Sequence, residues 1–270
     1  MLPGAEILIG LSVIVLTVAY ATLYRGRLRL YRSLAAERDA ILTTASPAPT
    51  LRPLRPGMRL DDYIVQFDDA IDPKAFAALE DEVEALAGSE RSYLPGHKKG
   101  GTVAYETLIR TAPTALRLYT SPALRDRVSD IVGAGVVPTP INDQSSLSLL
   151  IYERPGDHID WHYDHNFYRG RHFTVLLPIV NRGRTPGSIS STRFQVRAAS
   201  GDIREFATPP NALLIFEGAK VLHKATPLGP GERRIVLSMT YCTDPRASVL
   251  QGIARRIKDT AFFGPRALWT

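Results

Sequence analysis

Tyr152-Glu-Arg-Pro-Gly-Asp-His-Ile-Asp-Trp-His-Tyr-Asp164 is the stretch that decides how this chain is read. On an extended strand, residues i and i+2 point the same way, so His162 and Asp164 aim at one point and Tyr163 turns away. His223 follows in Val221-Leu-His-Lys-Ala-Thr-Pro227, after the apolar run Ala212-Leu-Leu-Ile-Phe216. A second strand can thus bring the third corner of a site. One carboxylate and two imidazoles fill one face of a metal ion and leave its other positions open to reactants. The same stretch holds a second pair with this spacing, His158 and Asp160.

Outward from this stretch, the C-terminal half reads as short apolar strands separated by Gly, Pro and Asn: 147–152, 173–180, 193–196, 212–216 and 234–241. The preceding part is helical in texture. Pro73 opens a helix through Leu86, residues 112–119 form another, and Ser121 with Pro122 caps and starts a third that runs to Val132. A strand is expected over 63–67, a polar, Gly-rich loop over 89–111, and a closing helix over 247–258. Helices followed by many short strands indicate an α+β fold with a sandwich or barrel core.

The motifs of residues 147–241 resemble the prolyl 4-hydroxylase-like branch of the 2-oxoglutarate- and Fe(II)-dependent dioxygenases. The residues that carry the resemblance are Tyr152 and Gly156, His162 and Asp164, Arg171 and Thr174, Ile215-Phe216, His223 and Pro227, and Gly231 with Arg233. Gly156 precedes His162 at the family-like spacing, which selects His162/Asp164 over His158/Asp160. The turn from Tyr152 to Gly156 is one residue longer than the commonest form, and Leu177-Pro178 stands where the family usually has an aromatic. The resemblance implies a double-stranded β-helix (jelly-roll) core with flanking helices. It implies Fe(II) held by His162, Asp164 and His223, with 2-oxoglutarate and O2 as co-substrates and ascorbate as a possible accessory. The reaction implied is hydroxylation of an unactivated C–H bond with release of succinate and CO2.

The far carboxylate of 2-oxoglutarate would need a cation, and a guanidinium suits it by donating two parallel hydrogen bonds. Arg233 and Arg234 are neighbours on one strand, so only one faces inward; the ten-residue step from His223 favours Arg233. Tyr152 and Thr174 are candidate hydroxyl donors to the same carboxylate. His97 belongs to the loop Ser92–Tyr105 and is placed at the entrance, whereas His165 and His172 are read as neighbours of the site or surface residues.

Residues 7–24 form an uncharged, largely apolar run just long enough to span a bilayer as a helix. Arg25, Arg27, Arg29 and Arg32 follow at once, and only Glu6 is charged before it. The positive-inside rule then expects a single-pass anchor with the catalytic domain in the cytoplasm; a cleaved signal peptide carries its positive charge on the other side. A helical pattern continues through Leu42. Four prolines between Ser46 and Gly57 suggest an extended spacer. The expected organisation is an anchor over 1–26, a juxtamembrane helix and Pro-rich linker over 27–58, and the dioxygenase domain over 59–270.

The formal net charge of +6 sits largely near the N-terminus, so no nucleic-acid partner is expected. Cys242 is the only cysteine, which excludes an intrachain disulfide. The anchor makes membrane lipid a partner and allows a lipid or protein substrate. Two other readings remain at this stage, a tethered binding module without catalysis and a metal-dependent hydrolase, although the latter has no use for an inward arginine.

Overall fold

The computed structural model describes residues 3–44, 46–86, 90–94, 97–198, 200–264 and 267. Among these, twelve strands form one curled antiparallel sheet. They are β1 (Ile64–Phe67), β2 (Glu90–Leu94), β3 (Lys98–Val103), β4 (Val137–Pro138), β5 (Leu147–Tyr152), β6 (His158–His162), β7 (His172–Arg182), β8 (Phe194–Arg197), β9 (Ile203–Phe206), β10 (Leu213–Glu217), β11 (Leu222–Ala225) and β12 (Arg233–Cys242). Their order is β1-β10-β7-β12-β5-β3-β6-β11-β8-β9, with β2 beside β3 and β4 beside β12. The curl brings the β6-β11-β8 side over the β10-β7-β12-β5 side, the jelly-roll-like architecture that the resemblance implied.

Alternation along the central strands builds two interiors. Leu147, Leu149 and Ile151 of β5, Phe173, Val175, Leu177 and Ile179 of β7, and Ile235, Leu237 and Met239 of β12 face one way. They meet the helices α2 (Pro73–Glu84), α3 (Tyr105–Thr111), α4 (Pro113–Thr120) and α5 (Pro122–Val132). The intervening residues face the hollow of the curl. Both faces are therefore covered, which is why these strands read as nearly continuous apolar runs. The helices start where the sequence says they should. The Asp72 carboxylate accepts from the amides of Lys74 and Ala75, the Ser121 hydroxyl accepts from the amide of Leu124, and each cap precedes a proline at the first helical position. Gly133 ends α5 with φ +69°, a left-handed conformation that glycine adopts without strain.

Two expectations are corrected. Residues 89–111 are not a loop: the described part is the β2–β3 hairpin followed by α3, while residues 89, 95 and 96 lie outside the described residues. The glycines that suggested a loop serve close packing. A Cβ on Gly100 would sit 3.1 Å from the carbonyl oxygen of Ile151, so a side chain there would push β3 a few tenths of an ångström from β5. The proline-rich segment is not a free spacer either. The Arg52 amide donates to the Ala70 carbonyl and the Asp72 amide to that of Thr50, both at 2.9 Å, fastening the segment to the domain.

The N-terminal run belongs to α1 (Pro3–Leu42), a 40-residue helix. Within it, Gly10–Leu42 is long and apolar enough to cross a membrane, and none of its apolar window is buried in the protein. Its C-terminal part docks on the domain. Leu34 is buried in the helix-side core, with Leu30, Ala35 and Ile41 packed against it. Arg110 of α3 pairs with Glu37 at 2.6 Å, and Arg117 of α4 donates to the Ile41 carbonyl at 3.0 Å. Apolar and polar contacts thus join α1 to the folded domain along more than one turn. Leu34→Ala is expected to destabilise the domain by about 2–4 kcal/mol through the lost contacts and the cavity left behind. Thermal unfolding of the full chain should show a melting temperature several degrees lower, whereas Leu16→Ala, at an exposed position, should leave it unchanged.

Candidate metal and 2-oxoglutarate site

Strand pairing sets the two histidines opposite each other. His223 on β11 is in register with His162 on β6, and their rings lie 4.1 Å apart. His162 Nδ1 is 2.7 Å from the Asp160 carbonyl and His223 Nδ1 is 2.9 Å from that of Val221. Each carbonyl can only accept, so each Nδ1 carries the proton and each Nε2 keeps its lone pair free for a metal. Asp164 lies just past the end of β6 rather than on it. Its amide donates to the Gly218 carbonyl at 3.0 Å, and Thr174 Oγ1 donates to Oδ2 at 2.5 Å. The other oxygen, Oδ1, is left 3.7 Å from His162 Nε2 and 3.8 Å from His223 Nε2. Among the described residues, these three form the one group whose ligand atoms converge for a metal. The decoy pair is not so placed: Asp160 is exposed, and His158 Nδ1 is tied to the Gly156 carbonyl at 2.8 Å.

Electrostatics prepare the group for a cation. Burial, reinforced by His223, pushes the His162 imidazole down to about 4, so it is neutral at physiological pH. Burial pushes the Asp164 carboxyl up, but His223, His162 and the Thr174 hydroxyl outweigh it and hold the group below its ordinary value. Gly218 gives Asp164 its room. A Cβ there would fall 2.6 Å from the Asp164 Cβ and 3.1 Å from Thr174 Oγ1.

The alternation of β12 decides which arginine enters the hollow. Arg234, Val236, Ser238 and Thr240 line the cavity that holds the triad. Arg233 has the opposite parity and pairs outside with Glu84 of α2. The expected Arg233 is therefore not at the cavity, and its neighbour is. Arg234 is 2% exposed, and among the described residues no carboxylate pairs with it. Its Nη2 reaches Thr208 Oγ1 at 3.4 Å, its Cζ lies 5.4 Å from the Tyr152 ring centre, and its Nε has no hydrogen-bond partner. A buried guanidinium with a vacant donor and no counter-charge is costly unless an anion completes it. Tyr152 stands beside Arg234, and the Thr174 hydroxyl donates to Asp164.

Several further residues line the cavity. Lys98, on the misread β3, is buried in the cavity with its Nζ 5.0 Å from the Phe262 ring centre. Burial, with Lys258 nearby, pushes its ammonium down to about 7. The helix α6 (Val249–Phe263) contributes Lys258, Phe262 and Phe263. His97 lines the cavity and packs edge-on against His162 at 5.4 Å. His172 and His165 also line it, the former buried with Nδ1 unpartnered and the latter stacked on Phe167. Arg171 points away and pairs with Glu217 at 2.8 Å. The alternation Lys98-Gly100-Thr102 was the signal available in the sequence, since one polar parity of a strand beside β5 has to face the hollow.

With this geometry in view, known proteins provide the context. The family model HalD, Halogenase D, matches residues 52–252. The chain belongs to the HalD family. Its fold recurs in solved structures. An oxidoreductase of the 2OG-Fe(II) oxygenase family from Burkholderia pseudomallei matches with a TM-score of 0.54 at 14% identity, over 75% of this chain and 99% of that one. A prolyl hydroxylase from Trichoplax adhaerens, in complex with a hypoxia inducible factor peptide fragment, matches at 0.54 and 12% identity, over 80% and 91%. The epimerase SnoN, in complex with Fe3+, alpha ketoglutarate and nogalamycin RO, matches at 0.53 and 16% identity, over 67% and 79%. No curated protein matches the sequence. The HalD member described here thus has the fold of the 2-oxoglutarate- and Fe(II)-dependent dioxygenases, with a His-Asp-His metal group in its hollow.

Two measurements check the geometry. Thr174→Val and Gly218→Ala should each weaken metal binding about 10–100-fold, because each disturbs the hold on Asp164 rather than a ligand; calorimetric titration with Fe(II) or Mn(II) under anaerobic conditions reads this. The Lys98 ammonium is depressed in the fold from its ordinary value of 10.5. Between about 7 and 10.5 the unfolded chain therefore binds the extra proton, and this lysine adds stability as pH rises through that window. Lys98→Met should flatten that part of the stability–pH curve of the ligand-free protein.

Proposed function

We propose that the protein is a membrane-anchored Fe(II)- and 2-oxoglutarate-dependent hydroxylase that acts on a C–H bond. The observation that carries this reading is the pairing, within one cavity, of the His162/Asp164/His223 group with the uncompensated guanidinium of Arg234. His162, Asp164 and His223 would hold Fe(II) through the two free Nε2 atoms and Oδ1. Arg234, with Tyr152 beside it, would bind the distal carboxylate of 2-oxoglutarate. With Fe(II) bound, 2-oxoglutarate and O2 supply an oxidant able to attack a C–H bond, leaving succinate and CO2. The chain's own part is placement and exclusion of water. Phe194 and Phe216 pack on His223 at 5.2 and 4.8 Å, and Leu150, Leu176 and Val236 keep the interior apolar.

The retained carboxylate favours hydroxylation over halogenation, the chemistry for which the family is named. If His162, Asp164 and His223 all hold Fe(II), 2-oxoglutarate and O2 would take up its remaining positions, and a halide would have to displace Asp164. Lys98 offers an ammonium to an anionic group on the substrate, because no carboxylate of the described residues compensates it. Three features support a single-pass anchor with the domain on the cytosolic side: the uncovered apolar face of α1, the arginines at 25, 27, 29 and 32, and the stacked Tyr20 and Tyr24 at the end of the run.

Arg234→Met should weaken 2-oxoglutarate binding to the metal-loaded protein by at least about 30-fold, as expected for removing one partner of a buried charge pair. Arg233→Met should leave it within about 3-fold, since at most a partly exposed ion pair is lost. Anaerobic calorimetry separates the two; the reverse ranking would sink the assignment. Mass spectrometry of products formed with chloride present should show gain of one oxygen atom and no exchange of hydrogen for chlorine.

A further inference from the structure

The helix α6 has two faces of different character. Capped by Ser248, whose hydroxyl accepts from the Gln251 amide while the Gln251 side chain accepts from the Ser248 amide, it is a well-started helix. One face closes the cavity: Phe263 is buried, Lys258 and Phe262 line the hollow, and Arg255 and Asp259 pair at 2.8 Å beneath the surface. The other face carries Val249, Leu250, Ile253, Ala254, Ile257 and Ala261, all exposed and all apolar. Helical spacing collects these residues within a stripe of about 140°. Val249 and Leu250 are 80% and 77% exposed, Ile257 65% and Ile253 47%. Four large apolar side chains in water on one short helix form an interaction surface rather than scattered surface residues.

The position of α6 says what covers it. Tyr31 of α1 shares a crevice with Gln251, Gly252, Arg255 and Arg256 of α6, and Tyr20 and Arg27 lie within electrostatic reach of Arg256. These α1 residues bracket the point where its apolar run gives way to Arg25, Arg27, Arg29 and Arg32. On the reading of α1 as an anchor, this is the depth of the lipid headgroups, where tyrosines and arginines sit. An amphipathic helix held there with such an apolar stripe lies in the interface plane.

We propose that α6 is a second membrane contact, an interfacial helix that seats Val249, Leu250, Ile253 and Ile257 among the acyl chains of the bilayer that α1 spans. This rests on the anchoring reading above. Its consequence is for substrate entry. The inner face of the same helix forms part of the cavity wall, so the site is held against the membrane surface and suits a substrate with an apolar part delivered from the lipid phase.

The test uses the full chain reconstituted into vesicles of zwitterionic and anionic phospholipid. Cys242 is buried, and burial, with Asp244 nearby, pushes its thiol up to about 12, so an introduced cysteine can be labelled selectively. A polarity-sensitive fluorophore is placed in turn at Ile253→Cys, Ile257→Cys, Val15→Cys and Ile203→Cys, the last being an exposed apolar residue on β9. Labels at 253 and 257 are expected to emit as in an apolar medium and to lose at least about half their emission to brominated lipid, as the label at 15 does, while the label at 203 stays water-like. Water-like, unquenched labels at 253 and 257 with quenching at 15 overturn the proposal and leave the anchor standing. Apolar emission at 253 and 257 without lipid quenching also overturns it, in favour of a protein partner or second copy. Absence of quenching at 15 overturns the anchor itself.

Discussion

The register that sets His223 opposite His162 across the β11–β6 pair is the constraint on which the rest of the site depends. Side chains on a strand alternate with period two, so a slip of one residue would turn either histidine out of the hollow. The register is guarded by apolar neighbours on the same side, Ile159 among them because the β6–β11 pairing shifts between His223 and Ala225. Ile159 on β6, Ala225 on β11 and Phe194 and Val196 on β8 are buried, and a slip would carry them into water. The carbonyls of Asp160 and Val221 then fix each ring from behind. Asp164, which leaves the strand, needs a separate device, and Gly218 with Thr174 supplies it.

The same alternation organises the far end of the cavity. Along β12 the residues Ile235, Leu237 and Met239 belong to the helix-side core, and Arg234, Val236, Ser238 and Thr240 to the hollow. Arg233 follows the helix-side parity, but at the strand end it meets Glu84 rather than the core. One sheet thus separates a dry structural interior from a polar chemical one. Burying an unpaired guanidinium and a lysine in the latter disfavours the empty protein. Anionic ligands that complete those groups would recover that energy as affinity.

Much of this was legible in the sequence, and the exceptions have physical causes. The three residues whose ligand atoms converge were readable because period two and spacing constrain them strongly. The helix starts at Pro73 and Pro122 were readable from their caps. Arg233 was preferred on spacing, yet the strand's own parity contradicted it: Ser238 and Thr240 share the parity of Arg234, and polar residues inside a buried strand mark the side of a cavity. The β2–β3 hairpin was hidden because glycine signals both flexibility and close approach, and only the carbonyl of Ile151 beside Gly100 distinguishes the two. The spacer reading of residues 46–57 failed because proline content dictates an extended backbone but says nothing of what that backbone pairs with. The lining role of α6 lay beyond reach, since no local pattern records which strand-built hollow a helix will close.

The most direct test of the account is a crystal structure of the protein prepared without oxygen, with Fe(II) and 2-oxoglutarate added. The account predicts anomalous density for one metal between His162 Nε2, Asp164 Oδ1 and His223 Nε2, and a 2-oxoglutarate carboxylate against Arg234 beside Tyr152. Metal outside that triad, or 2-oxoglutarate bound at Arg233 or away from the cavity, would contradict it.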